Sequence, residues 1–135
     1  MLSFPKPKLR LGYVPTRRDM FLHPMYKEIK ANVDDRMREL AEAYDFTLIT
    51  TQALSFPEKT FRMGSRTMNV PADDLMTDYA DAKLISEYFR AEHIDALFVP
   101  FCNFGQEEAV ARLAKDLNVP LLVWAPRDPA PLGLE

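Results

Sequence analysis

Four short apolar runs alternate with three stretches in which apolar side chains recur every three or four residues. Leu9–Val14 is the first run, and Pro15 stops it. Phe46–Thr50, Ala96–Val99 and Pro120–Trp124 are the others. Runs of four to six residues rich in Val, Ile, Leu and Phe, without strict alternation, predict strands covered on both faces. Between the first two, Met25, Ile29, Val33, Met37, Leu40 and Tyr44 form one apolar stripe, which predicts a helix opened by His23-Pro24 and ending near Asp45. A second stripe is read through Leu75, Met76, Tyr79, Ala82, Ile85, Tyr88 and Phe89, with Asp73 and Asp74 as acidic caps at the positive end. A third runs through Val110, Leu113, Ala114 and Leu117. Its start is placed at Asn103–Gln106, where Asn at the cap and Gln three residues on resemble a capping box.

The order βαβαβαβ predicts an α/β domain: a parallel sheet of about four strands between helix layers, with right-handed crossovers. A three-layer, flavodoxin-like arrangement with strand order 2-1-3-4 follows. The segment Thr51–Ala72 has no such period and is read as a long irregular loop. It carries Phe56, Lys59, Phe61, Arg62, Met63, Arg66 and Met68, with Glu58 as its only acid. Loops of this length in compact domains are functional or packed on a neighbour. Phe and Met beside Arg suit an interface or the edge of a site; the alternative is that its phenylalanines tuck onto the core.

Length and composition narrow the picture. The 135 residues allow one domain and no second. A net charge of -3, from 17 basic and 20 acidic residues, exerts no overall pull on nucleic acid or membrane. A single cysteine, Cys102, excludes an internal disulfide and suits a reducing, cytoplasmic setting. No run is long enough to cross a bilayer, and no signal peptide opens the chain. The four glycines, at 12, 64, 105 and 133, are scattered, so neither a dinucleotide fingerprint nor a Walker loop is present.

Ligands of open parallel sheets bind beyond the carboxyl ends of the strands, where the strand order reverses. Two loops are expected there: Pro15–Met20, with Arg17 and Arg18, and Pro100–Glu107, with Cys102, Asn103 and Gly105. The arginines offer fixed charge and planar donors, Gly105 a close backbone approach, and the following helix free N–H groups. The competing reading makes the arginines solvated and Asn103 only a cap. Cys102 near a helix start suggests a lowered thiol pKa, yet no partner base accompanies it. His23 and His93 have no ligand pattern around them and are read as helix-end residues, with a polar role in the site left open for His23. No catalytic or metal-ligating residue is identified.

Leu9–Arg18, Val99–Glu107 and Trp124–Leu132 together resemble the first domain of L-fucose isomerases and their L-fucose/L-arabinose isomerase-like relatives. The resemblance spans nearly the whole chain. It implies that residues 1–135 are the N-terminal, substrate-side and oligomerisation domain of a longer aldose–ketose isomerase-like protein. It further implies a catalytic Mn2+ held by carboxylates and a histidine in later domains, a sugar substrate shared with other domains or subunits, and a homo-oligomer. Arg17 or Arg18 would contact sugar hydroxyls, and Cys102-Asn103 would line the pocket. Cys102 falls where fucose isomerases carry a tryptophan, so the resemblance does not name the sugar. Alone, the chain is expected to be inactive. The rival expectation is a non-catalytic, flavodoxin-like module binding a small molecule or anion at the arginine loops. A third is a structural domain that associates through its last strand or through the Thr51–Ala72 segment.

Overall fold

The computed structural model describes residues 7–18, 24–54, 56–70 and 72–126. His23 and the exit run after Pro126 lie outside them. Strand β1 is Arg10–Tyr13, followed by helix α1, Met25–Tyr44, and strand β2, Thr47–Thr50. A single 3-10 turn, Thr51–Ala53, leads to β3, Lys59–Met63, and β4, Arg66–Val70. Then come α2, Tyr79–Ala91; β5, Ala96–Pro100; α3, Glu107–Leu117; and β6, Leu121–Trp124.

Strands β2-β1-β5-β6 form a fully parallel sheet in that order, the expected 2-1-3-4 arrangement. The pleat sorts its side chains. Tyr13 and Phe98 face α1 and pack with Val33 and Met37. Val14, Leu97 and Val99 face α2 and α3, against Ile85, Phe89, Val110 and Leu113. Gly12 sits under Phe89: a Cβ there would lie 2.7 Å from the ring. The small residue is what lets α2 approach the central strand.

Several element boundaries differ from expectation. Thr51–Ala72 is not structureless: β3 and β4 form an antiparallel hairpin around Gly64-Ser65. Gly64 takes φ +62, which a two-residue hairpin turn requires and glycine supplies without strain. Asp73 and Asp74 do not cap α2. The helix starts six residues after Asp73, and Asp78 caps it by accepting from the Asp81 N–H at 2.9 Å. Leu75 and Met76 are buried in the preceding loop, and Tyr79, read as core, is exposed. In α1 the ends of the stripe, Met25 and Tyr44, are exposed, whereas Tyr26 and Asp34 are buried. Helix α3 begins at Glu107 with no side-chain cap, so Asn103 is not its N-cap. His93 follows α2 at φ 53, donating its N–H to the Arg90 carbonyl.

Candidate functional site

Pro15 lies just past β1 and Pro100 ends β5, but the backbone pairing continues past both. Thr16 N–H donates to the Pro100 carbonyl at 3.0 Å, and Cys102 N–H donates to the Thr16 carbonyl at 2.9 Å. On its other side this segment meets the loop before α2: Arg17 N–H donates to the Met76 carbonyl, and Met76 N–H to that of Pro15. Thr16 Oγ1 also donates to the Met76 carbonyl at 2.8 Å. Three loops are thus woven together at the carboxyl edge of the sheet. Arg17, Arg18, Cys102, Asn103 and Gly105 all lie there.

The side chains do different things. Arg18 is partly exposed and ties its own loop to the next. Its N–H donates to Asn103 Oδ1 at 2.7 Å, its Nε to the Gly105 carbonyl at 3.1 Å, and its Nη2 pairs with Glu107 at 2.6 Å. Asn103 Oδ1 also accepts from Gly105 N–H at 3.2 Å, so Asn103 staples a loop rather than starting a helix. Gly105 takes φ +68, and a Cβ there would stand 2.6 Å from the Phe101 ring. The loop can close this tightly only around glycine.

Arg17 has a wholly buried side chain. Its guanidinium lies 4.8 Å from the centre of the Tyr26 ring and pairs with Asp73 at 3.2 Å. Nη1 is buried and has no hydrogen-bond partner among the described residues. A buried donor without a partner carries a desolvation cost and marks a place where an acceptor would be gained. Asp73 also accepts from Leu75 N–H at 3.1 Å, which fixes the carboxylate from the α2 side.

Beneath this rim lies a charge network that sequence reasoning missed. Tyr13 donates to Asp34 at 2.6 Å, and Lys30 bridges Asp34 at 2.5 Å and Asp74 at 3.0 Å. Burial, together with the bond to Asp34, pushes the Tyr13 hydroxyl well above its usual pKa. Burial alone would lower Lys30; its hydrogen bonds to Asp34 and Asp74 outweigh that and hold the ammonium charged above its ordinary range. The available signal was spacing: Tyr26, Lys30 and Asp34 recur every four residues and share one face of α1.

Cys102 departs from expectation. It is 1% exposed, and burial pushes its thiol up to about 12; Lys30 pulls it down, while Asp34 and Asp74 add to the rise. The net effect is a rise, and the thiol is a packing group beside Tyr26 and Leu75. Among the described residues, no group of three His, Cys, Asp or Glu side chains is placed to hold a metal ion. Asp34 and Asp74 converge, but on the Lys30 ammonium, which stands where a cation would.

The carboxyl edge of the parallel sheet thus carries a buried arginine and a stapled second loop, and comparison with known proteins names the kin of the chain. No curated protein and no solved structure compared with the chain matches it. One family model does, described as "Fucose/sulfoquinovose isomerase, N-terminal domain", over residues 12–133. That stretch holds both arginine-bearing and asparagine-bearing loops and every element from β2 to β6. The chain therefore belongs to the N-terminal domain family of fucose/sulfoquinovose isomerases.

Proposed function

We propose that this domain supplies the substrate-side edge of a sugar aldose–ketose isomerase and helps to assemble its oligomer, while the metal-dependent chemistry belongs to another part of the enzyme. The observation that carries the reading is Arg17. Its guanidinium is buried at the carboxyl edge of the sheet, braced by Asp73 and Tyr26, with Nη1 unpartnered among the described residues. A sugar hydroxyl or carbonyl oxygen that reached Nη1, which requires the groups covering this fully buried side chain to move aside, would satisfy that donor in a low-dielectric setting, where a charged hydrogen bond is strongest. Arg18, Asn103 and Gly105 hold the adjoining loop as the pocket wall. Cys102 lines the floor from below, through its backbone rather than its thiol.

A divalent metal polarising the sugar oxygens would supply the proton-shuffling chemistry of such a reaction. Among the described residues no group fits that ion: the carboxylates of Asp34, Asp73 and Asp74 are already engaged by Lys30 and Arg17. The domain is proposed to contribute binding and orientation alone.

The test incubates the chain with fucose and Mn2+, and follows sugar contact by ligand-observed NMR. The reading expects no ketose and a weak contact that Arg17→Met abolishes. Ketose formation by the chain alone overturns the division of labour. Contact that survives Arg17→Met unchanged overturns the role given to Arg17.

A further inference from the structure

Arg17 and Asp73 together fix the charge of the carboxyl edge. Asp73 Oδ2 accepts from Arg17 Nε at 3.3 Å and from Nη2 at 3.2 Å, so one oxygen spans the side-on edge of the guanidinium. That edge is the one an incoming carboxylate, sulfonate or phosphate would take with two parallel bonds. The other Asp73 oxygen accepts from Leu75 N–H at 3.1 Å, which keeps the carboxylate in place. What remains of the guanidinium is Nη1, buried and without a hydrogen-bond partner among the described residues. The Arg17 side chain is wholly buried and that of Asp73 is 23% exposed, so the place held by the carboxylate opens toward solvent.

Other cations around this edge are taken as well. Arg18 pairs with Glu107 at 2.6 Å, Lys30 with Asp34 at 2.5 Å and Asp74 at 3.0 Å, and Arg38 with Asp35 at 3.1 Å. Arg38 also lines a small cavity beside Asp34 and Asp74. Lys27 and Glu28, adjacent on the first turn of α1, are both exposed and add no net charge. Carboxylates therefore outnumber cations by one among these residues. An anion arriving at Arg17 would leave a buried site with excess negative charge, which costs more than a bond to Nη1 returns. A hydroxyl or carbonyl oxygen brings no charge and meets Nη1 with one good bond.

We infer that Asp73 sets specificity at this edge: by neutralising Arg17 it admits an uncharged sugar oxygen and refuses an anionic group. The inference rests on the reading of Arg17 given above and names the class of group that Arg17 meets. Asp73 acts through Arg17 and is a positioning residue. Deleting its carboxylate while keeping Arg17 turns the edge into an anion site, with the anion in the vacated place. A merely structural Asp73 predicts only lost stability and lost sugar contact in such a variant, never the gain of a new ligand.

Formate is the probe, because it is the carboxylate that Asp73→Ala deletes. In the native chain, millimolar formate should move neither the Thr16–Arg18 amides nor the urea midpoint beyond what sodium chloride does, while fucose moves the amides. In Asp73→Ala, formate should bind at least about tenfold more tightly and raise the urea midpoint, because a ligand of the folded state stabilises it. Adding Arg17→Met to that variant should remove both effects. Folding of Asp73→Ala in formate but not in sodium chloride counts as the same gain. If it folds in neither, Asp73→Asn keeps the shape without the charge, and the same tenfold gain is expected of it. Formate binding that is equally tight in native chain and variant, or absent from both, overturns the role of Asp73. A native chain without fucose contact overturns the reading of Arg17 instead, whatever formate does.

Discussion

Asp73→Ala removes the counter-charge to a fully buried guanidinium, and the consequence can be worked from the geometry. In the native domain Arg17 is braced by Asp73 at 3.2 Å and by the Tyr26 ring at 4.8 Å. Without Asp73 the ring is left to hold the cation, and a buried charge deprived of its partner costs about 3–5 kcal/mol. The reverse change, Arg17→Met, is milder. It leaves an Asp73 side chain that is 23% exposed and still accepts from Leu75 N–H, so its cost is nearer ~1–2 kcal/mol. The double variant should resemble Arg17→Met alone, because the stranded charge is gone. Urea unfolding reads all three. With a slope of about 2 kcal/mol/M for a domain of this size, Asp73→Ala lowers the midpoint by about 2 M, and Arg17→Met by less than ~1 M. Equal losses in the two single variants, or an additive double variant, would refute the picture of Arg17 as a buried cation held by one carboxylate.

Other outcomes follow from neighbouring contacts. Gly105→Ala forces a side chain into a left-handed backbone and against Phe101, whereas Gly64→Ala meets the backbone strain in open space. Thermal unfolding should show the former losing about 3 kcal/mol and the latter about 1 kcal/mol. Cys102 should resist iodoacetamide at pH 8 in the native chain and react fully in urea, because burial holds its pKa near 12; fast native labelling contradicts this. Tyr13 and Lys30 both have folded pKa values raised above their unfolded 10.0 and 10.5. Their stabilisation is complete below pH 10 and lost as pH climbs through the raised values. Alkaline unfolding should therefore steepen above pH 10, and Tyr13→Phe should flatten it. For Asp78, burial alone would raise the pKa, but Lys59 and the start of α2 lower it below 3.8. That stabilisation is present above pH 3.8 and lost as pH falls through the lowered value, so Lys59→Met should move acid unfolding to higher pH.

The sheet was legible because its strands are nearly continuous apolar runs and its helices carry clear stripes; strand order then follows from handedness. The arginine and asparagine loops were legible as neighbours for the same topological reason. What was not legible had weaker local signals. The hairpin's alternation, Lys59-Thr60-Phe61-Arg62-Met63, is broken by charge on both faces, and its Met63-Gly64-Ser65-Arg66 turn is short. Asp73 looked like a cap because acids precede many helices; its partner is Arg17, 56 residues away in sequence. Asp34 is charged and carries no sign of burial in the sequence, yet Tyr13 and Lys30 satisfy it inside the protein. A lowered thiol pKa was expected of Cys102 from its place before a helix; burial among Tyr26 and Leu75 raises it instead.

The central claim is that sugar meets this domain at the carboxyl edge of the sheet. A backbone amide NMR titration with fucose tests it residue by residue. The account predicts shifts confined to Thr16–Arg18, Cys102–Gly105 and the Asp73–Met76 loop, absent in Arg17→Met. Shifts clustered at the opposite end of the strands, around Arg10, Glu92 and Asp95, or no shifts at millimolar sugar, would contradict it.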